Sequence, residues 1–322
     1  MLCARCHRQG TGQGGLRLRI MDSEINAMHT IIARVFFPAA LLASLLTFAM
    51  AHAAGGDLRL AVMAPSVITL IAAMLLERRM PFQPEWNRPR GDATTDWLSM
   101  AALLAVIDPL LKWGGPLLAA ALYARLDVPA GLFPTSLPFA LQVAIAAAIA
   151  EFGFYWAHRL HHSRQALWWL HALHHGSERL YSVNNFRLHP LNYGLNYALG
   201  MLPLLVLGTP SDALFGYLAL SYPVLMLQHA NLPLRSGWLN YVFSTNEVHR
   251  WHHSAAPAEG DRNFGRVLVL WDHVFGTFRY QPQGANLPRT IGLYAGDAYP
   301  ARASYWRQVS SMFLPACCRA AG

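Results

Sequence analysis

Eleven of the chain's 15 histidines fall between residues 158 and 253. Nine of them form three groups with one spacing: His158, His161 and His162; His171, His174 and His175; His249, His252 and His253. On an α-helix, positions i, i+3 and i+4 share a face, so each group can aim three imidazoles in one direction. A single such histidine is best explained as a core residue satisfied by a hydrogen bond. Three groups are not, because each unpartnered buried imidazole costs on the order of 1–3 kcal/mol, and a metal gives them all a common partner.

Ligand count discriminates among the metals that imidazole suits, which are Zn, Cu, Fe and Ni. A tetrahedral zinc site uses four ligands, and the three groups together with the isolated His189 and His229 exceed that. Two six-coordinate ions offer roughly twelve positions, so nine or ten imidazoles leave room for dioxygen or a bridging water. The residues therefore point to a di-iron centre. Abstracting hydrogen from an unactivated methylene needs redox chemistry that side chains lack and zinc cannot supply.

The elements that must hold these histidines are apolar. Of 322 residues, 54% are hydrophobic and 13% charged, which excludes an ordinary soluble domain and indicates a membrane protein. Apolar runs predict spans at about 31–51, 58–76, 97–123, 137–157 and 196–230. The last is long enough for a helical hairpin turning at Gly208, Thr209, Pro210 and Ser211. The third is interrupted by Asp108, Pro109, Lys112 and Gly114-Gly115-Pro116, and reads either as one kinked span or as two short ones.

Arg5, Arg8, Arg17 and Arg19 precede the first span, and Arg78, Arg79, Arg88 and Arg90 follow the second, which places both flanks in the cytoplasm. With 97–123 counted as one crossing or as a re-entrant pair, every histidine group returns to that face. The expected fold class is all-α: polytopic membrane helices under a cytoplasmic histidine-rich cap, made from about 158–195 and 231–300, that holds a two-metal site. Residues 1–27 read as a disordered tail, in which Met21 or Met28 could be the start; 28–94 as two transmembrane helices; 95–300 as the membrane-embedded catalytic domain; and 301–322 as a C-terminal tail.

The net charge of +8 derives partly from arginines dispersed around the spans, so no nucleic-acid partner is expected. Cys3, Cys6 and His7 match the Cys-x-x-Cys-His pattern of haem attachment, but no signal segment precedes them. Cys317 and Cys318 are adjacent, and four cysteines so placed suggest no disulfide framework.

Several boxes occur in order: Trp156-Ala157-His158-Arg159 through His162, His171-Ala172-Leu173-His174-His175, Phe186-Arg187-Leu188-His189-Pro190, Gln228-His229-Ala230-Asn231, His249-Arg250-Trp251-His252-His253, and Trp271-Asp272-His273-Val274-Phe275-Gly276-Thr277. Over about 95–300 the chain thereby resembles the sterol desaturase and fatty acid hydroxylase superfamily. The resemblance implies an integral membrane di-iron oxygenase that hydroxylates or desaturates a lipid. Its implied partners are dioxygen and an external electron donor of ferredoxin or cytochrome type. The implied ligands are His158, His162, His171, His174, His175, His229, His249, His252 and His253.

Three positions depart from the family pattern: Leu225 and Pro233 stand where a further histidine is often found, Asn192 where a glutamate commonly follows the His-Pro-Leu box, and His273 where arginine is frequent. A tenth ligand is thus open. His189 is one candidate. His161 has helical spacing but not the box position, and reads better as lining the substrate or supporting a ligand. Asp272 and Glu178 are candidates for orienting ligand N–H groups, or else solvated charges or caps.

The competing class is a membrane metal transporter or a haem-binding electron carrier. Against it, the histidines lie just beyond span ends and the spans carry few polar residues at mid-depth. A zinc protease lacks support, because no His-Glu-x-x-His occurs and Glu247 stands two residues before His249. Sterol, fatty acyl, ether-lipid and carotenoid-like substrates remain open.

Overall fold

This computed structural model describes the backbone of residues 12–126, 131–282, 288 and 290–314. Helices α1 (Gly12–Ala53) and α2 (Leu58–Arg79) form the first hairpin. Gly55, at φ 64°, reverses the chain, and Asp57 caps α2 by accepting from Arg59 N at 2.8 Å and Leu60 N at 3.1 Å. Helix α1 begins at Gly12, so it takes in much of the stretch read as a disordered tail. Residues 1–11, with Cys3, Cys6 and His7, lie outside the described residues, as do Cys317 and Cys318.

Helices α3 (Ala93–Ala102) and α4 (Asp108–Leu126) join through a π-turn at Leu103–Ile107 into one interrupted segment. The Asp108 N–H bonds Leu103 O, five residues back, and the wide turn accommodates Pro109, which has no N–H to give. The charges that interrupt the sequence of this span neutralise each other: Lys112 Nζ lies 2.7 Å from Asp108, which also accepts from Tyr193 Oη at 2.8 Å. Of the two sequence readings, the single kinked helix is the one found.

Helix α5 (Phe139–Ser163) is followed by α6 (Gln165–His175). The expected hairpin has α7 (Pro190–Gly200) and α8 (Leu202–Val206) on one arm and α9 (Ser211–Gln228) on the other, with Gly208 turning at φ 71°. The cap contains α10 (Asn246–His252), α11 (Pro257–Gly260), α12 (Leu270–Val274) and α13 (Tyr305–Ser310). Among the described residues no strand forms, only isolated bridges pairing Phe243 with Leu268 and Ser254 with Ile291.

Four helical segments are long and apolar enough to cross a membrane: Asn26–Ala53, Leu58–Arg79, Ala93–Arg125 and Phe139–Ser163. Their outer faces expose Leu46, Ile68, Leu75 and Trp113, a surface that lipid covers and water would penalise. The protein is therefore integral to the membrane. At about 1.5 Å per residue, α5 outruns a hydrocarbon layer of roughly 30 Å, so its histidine-bearing end projects beyond it.

Helix α9 packs between α1, α2 and α5, burying Val224 and Leu227 against Phe37 and Ala73. Helices α5 and α7 touch backbone to backbone at Gly153, where a Cβ would stand 1.7 Å from Leu199 O. Small residues permit such approaches between helices in lipid. Gly153→Ala is expected to destabilise the protein by about 1–3 kcal/mol or more through overpacking. An unchanged thermal midpoint in detergent would count against this contact.

Candidate metal centre

Four helices end at one place. Helices α5, α6 and α10 carry their histidines in the last turns, and His229 is the C-cap of α9. Carbonyls left unpaired at helix C-termini, together with the helix dipoles, favour a cation there.

The nine histidines implied by the family resemblance assemble into two adjoining groups. His158, His162, His171, His175 and His252 form one; His174, His229, His249 and His253 form the other; in each, the candidate ligand atoms lie within 4.8 Å of one another. Ring nitrogens face each other inside each group. In the first, Nε2 of His171 is 3.0 Å from that of His158 and 3.2 Å from that of His175, which is 3.1 Å from that of His252. In the second, Nε2 of His249 is 3.0 Å from those of both His229 and His253. His174 contacts both groups, its ring centroid 5.2 Å from His171 and 4.7 Å from His253.

These spacings test the fit of a metal. Ligands at right angles on an ion about 2.1 Å away stand about 3.0 Å apart, and tetrahedral ligands about 3.4 Å, given ordinary imidazole–metal distances. The five shortest separations, 3.0–3.2 Å, are compatible with ligands at right angles on one ion in each group. The buried His162 Nε2 has no hydrogen-bond partner among the described residues, and an ion would give it one. The donor set suits a metal, and iron among the metals.

Outward nitrogens fix five of the tautomers. Nδ1–H donates to a backbone carbonyl in three cases: His158 to Phe264 at 2.9 Å, His174 to Arg187 at 3.3 Å and His252 to Arg262 at 2.9 Å. His229 donates to Asn184 Oδ1 at 2.9 Å, and His162 Nδ1 lies 3.0 Å from Asp261. Each such bond leaves Nε2 as the inward lone pair. Burial, followed by neighbouring imidazoles, pushes His171, His175, His229, His249 and His253 well below the usual histidine range, and His174 and His252 down to about 3. These seven imidazoles are thereby held neutral at pH 7, the state in which an imidazole can ligate a metal.

Other sequence candidates fall elsewhere. His189 is the N-cap of α7: its Nδ1 accepts from Leu191 N at 3.1 Å and its Nε2 donates to Val309 O at 3.0 Å, so it has no nitrogen for the centre. The extended backbone before Pro190 sets that direction. His161 is fully buried behind His171; its Nδ1 donates to Ala157 O and its Nε2 accepts from Asn192, both at 2.6 Å. Glu178 pairs with Arg90 and Arg302 at the surface and orients no ligand.

Asp272 hydrogen-bonds none of the nine clustered histidines. It accepts from Phe264 N at 2.8 Å, Gly265 N at 2.7 Å and Thr277 Oγ1 at 2.6 Å, holding the turn whose Phe264 carbonyl receives His158. The carboxylate on one of the nine clustered histidines is Asp261, which the sequence reading missed; no fixed spacing ties it to the boxes. Asp261→Asn is expected to weaken metal retention about 10–100-fold, as loss of an outer partner does, with competition against a chelator as the measurement. Unaltered retention would reduce Asp261 to a surface group.

The fold and site thus define a polytopic helical membrane protein built around a buried polyhistidine cluster suited to hold metal. The family model for fatty acid hydroxylase matches residues 143–277, which hold all nine histidines. An ornithine lipid hydroxylase of Rhizobium tropici is 35% identical over 233 residues, covering 69% of this chain and 67% of that protein. The alkylglycerol monooxygenase of Danio rerio is 32% identical over 129 residues, 40% of this chain and 28% of its own length; that of Homo sapiens is 29% identical over 128 residues and likewise matched over 28% of its length. No solved structure matches. The chain belongs to the fatty acid hydroxylase family, an oxidoreductase class, as the order of its histidine boxes implied.

Proposed function

We propose that this chain hydroxylates a membrane lipid at a di-iron centre facing the cytoplasm, using dioxygen and electrons from an external donor. The observation that carries the reading is the division of nine inward imidazoles into groups of five and four. In this reading, His158, His162, His171, His175 and His252 hold one iron, and His174, His229, His249 and His253 the other. The irons supply the dioxygen chemistry that side chains lack.

The chain's own residues supply orientation. Phe264 O, Arg187 O, Arg262 O, Asn184 and Asp261 keep five of the imidazoles, those of His158, His174, His252, His229 and His162, turned inward. The four apolar spans deliver a substrate already dissolved in the membrane, and holding its reacting carbon near the centre selects the position attacked. Catalysis belongs to residues 95–300. His161, second neighbour of the centre through His171, supports a ligand, as Asp272 does through Phe264.

Two relatives act on lipids with a polar end, an ornithine lipid and an alkylglycerol by their names. Ornithine lipids are accordingly the first substrate class for this chain and alkylglycerols the second. Incubating purified, iron-loaded protein with these lipids, a reduced ferredoxin or cytochrome donor and labelled dioxygen is expected to place one labelled oxygen in the lipid. Haem absorbance, or iron-replete protein that labels no lipid in cell extracts, would overturn the reading.

A further inference from the structure

An open cavity of about 580 Å³ lies where the cap meets α1, lined by Arg34, Arg235, Gly237, Glu247 and Tyr280. Arg34 comes from α1 and Arg235 from the segment after α9, and a bond from Arg235 N to Ala33 O at 2.7 Å brings the two together. Both arginines are exposed, and neither side chain makes an ion pair or a hydrogen bond among the described residues. Two guanidiniums brought to one cavity from distant parts of the chain repel each other unless an anion lies between them.

Glu247, the acid among these lining residues, does not fill that role. It is 4% exposed, and its carboxylate already accepts from Ser236 N at 2.6 Å, Asn240 Nδ2 at 3.1 Å and Tyr280 Oη at 3.2 Å. Behind it, buried Arg250 lies over the Phe82 ring, 3.6 Å from its centroid, within electrostatic reach of the same carboxylate. The charge of Glu247 is thus balanced from inside, and Arg34 and Arg235 remain as the open charges of the cavity.

The depth is that of lipid headgroups. The Asn26–Ala53 span has 28 residues, so at about 1.5 Å each it exceeds a hydrocarbon layer of roughly 30 Å by roughly 12 Å. Arg34, toward the end that meets the cap, falls at the edge of that layer. Ile31 and Val35 beside it are exposed, as lipid-facing residues are. Trp238, 72% exposed, and Tyr241 stand in the turn that Gly237 opens, where aromatic residues meet a membrane interface. A molecule lying in the bilayer can therefore bring its polar end to both arginines.

We propose that this cavity binds the phosphate of an anionic membrane phospholipid between Arg34 and Arg235, and that the bound lipid fastens the cap to α1. Guanidinium forks match phosphate oxygens in charge and geometry. Trp238 and Tyr241 cover the glycerol and the first carbons of the chains. The site depends neither on the metal nor on the reaction.

The probe is dihexanoyl phosphatidylglycerol, with dihexanoyl phosphatidylcholine and inorganic phosphate for comparison, added to the full, metal-loaded chain in a neutral detergent. Retained lipid is counted by native mass spectrometry, and the thermal midpoint is recorded in parallel. Phosphatidylglycerol is expected to be retained and to raise the midpoint, while phosphatidylcholine does neither. Arg34→Gln and Arg235→Gln should each weaken its binding roughly fivefold, the scale of one basic side chain at an anionic surface, and the two together roughly twenty-fold. Arg79→Gln, which removes an exposed arginine at the end of α2, should leave binding unchanged. Arg34→Lys with Arg235→Lys, which keeps both charges, should retain most of it. The single variants and the lysine pair keep the comparison readable if the double glutamine variant does not fold. Equal binding by the parent and the glutamine variants would overturn the site, as would equal weakening by Arg79→Gln, the mark of diffuse surface charge. Displacement of the lipid by an equal concentration of inorganic phosphate would overturn it too, giving the cavity to a soluble anion.

Discussion

His174→Ala is expected to abolish turnover and empty the four-histidine group while leaving the membrane helices folded. His174 is the one member of that group contributed by α6, with ring centroids 4.8 Å from His229 and 4.7 Å from His253. Losing it should cost activity more than the roughly 10–100-fold expected for an outer partner, because a direct ligand is removed. The spans are held by packing in lipid, so circular dichroism and insertion should persist. Two controls sharpen the result. His189→Ala should keep its iron, since both nitrogens of His189 are engaged with Leu191 and Val309. His161→Ala should also keep iron but lose about 1–3 kcal/mol of stability by stranding buried Asn192. Full iron and full activity in His174→Ala would remove that histidine from the site.

Arg187→Ala is expected to cost about 3–5 kcal/mol, the penalty for leaving one member of a buried ion pair alone. Its fully buried guanidinium lies 3.0 Å from Asp96, donates to Leu173 O at 2.8 Å and reaches Gln308 at 3.0 Å. It thereby ties α3, α6 and α13 together, while its own carbonyl receives His174 Nδ1. Removing it leaves Asp96 with the Tyr181 hydroxyl at 2.6 Å and the more distant Arg179 at 3.9 Å. The variant should melt earlier in detergent and expose the cap to protease before the spans. The paired replacement Arg187→Met with Asp96→Leu should recover much of the loss, since apolar residues of similar size often substitute for a buried pair. If the single variant melts with the parent, the ion pair does not hold the cap.

The histidine cluster was legible because it depends on residue types at helical spacing. Three repeats of i, i+3, i+4 histidines between apolar runs require a polyhistidine centre at span ends, whatever the loops do. The turn between α8 and α9 was equally legible, since Gly208 and Pro210 interrupt an otherwise continuous apolar run, but neither arm is among the four segments long and apolar enough to cross a membrane. The wide turn before Pro109 was foreseeable only as an interruption, because either a kink or a break satisfies a missing N–H.

How the histidines divide was not in the spacing. In the second and third groups the i, i+4 pair, His171 with His175 and His249 with His253, stays together, while the i+3 member, His174 or His252, crosses to the other set. In the first group His158 and His162 stay together and His161 joins neither set. Positions i+3 and i+4 differ by about 100° around a helix axis, so one helical face serves both groups only when a second helix end meets it at the right angle. Residue type and spacing specify the clustered imidazoles, the helices that carry them and their place at helix ends. Tertiary packing alone decided which imidazole meets which, because Asp261, Asn184 and the carbonyls of Arg187, Arg262 and Phe264 come from segments whose approach no local pattern encodes.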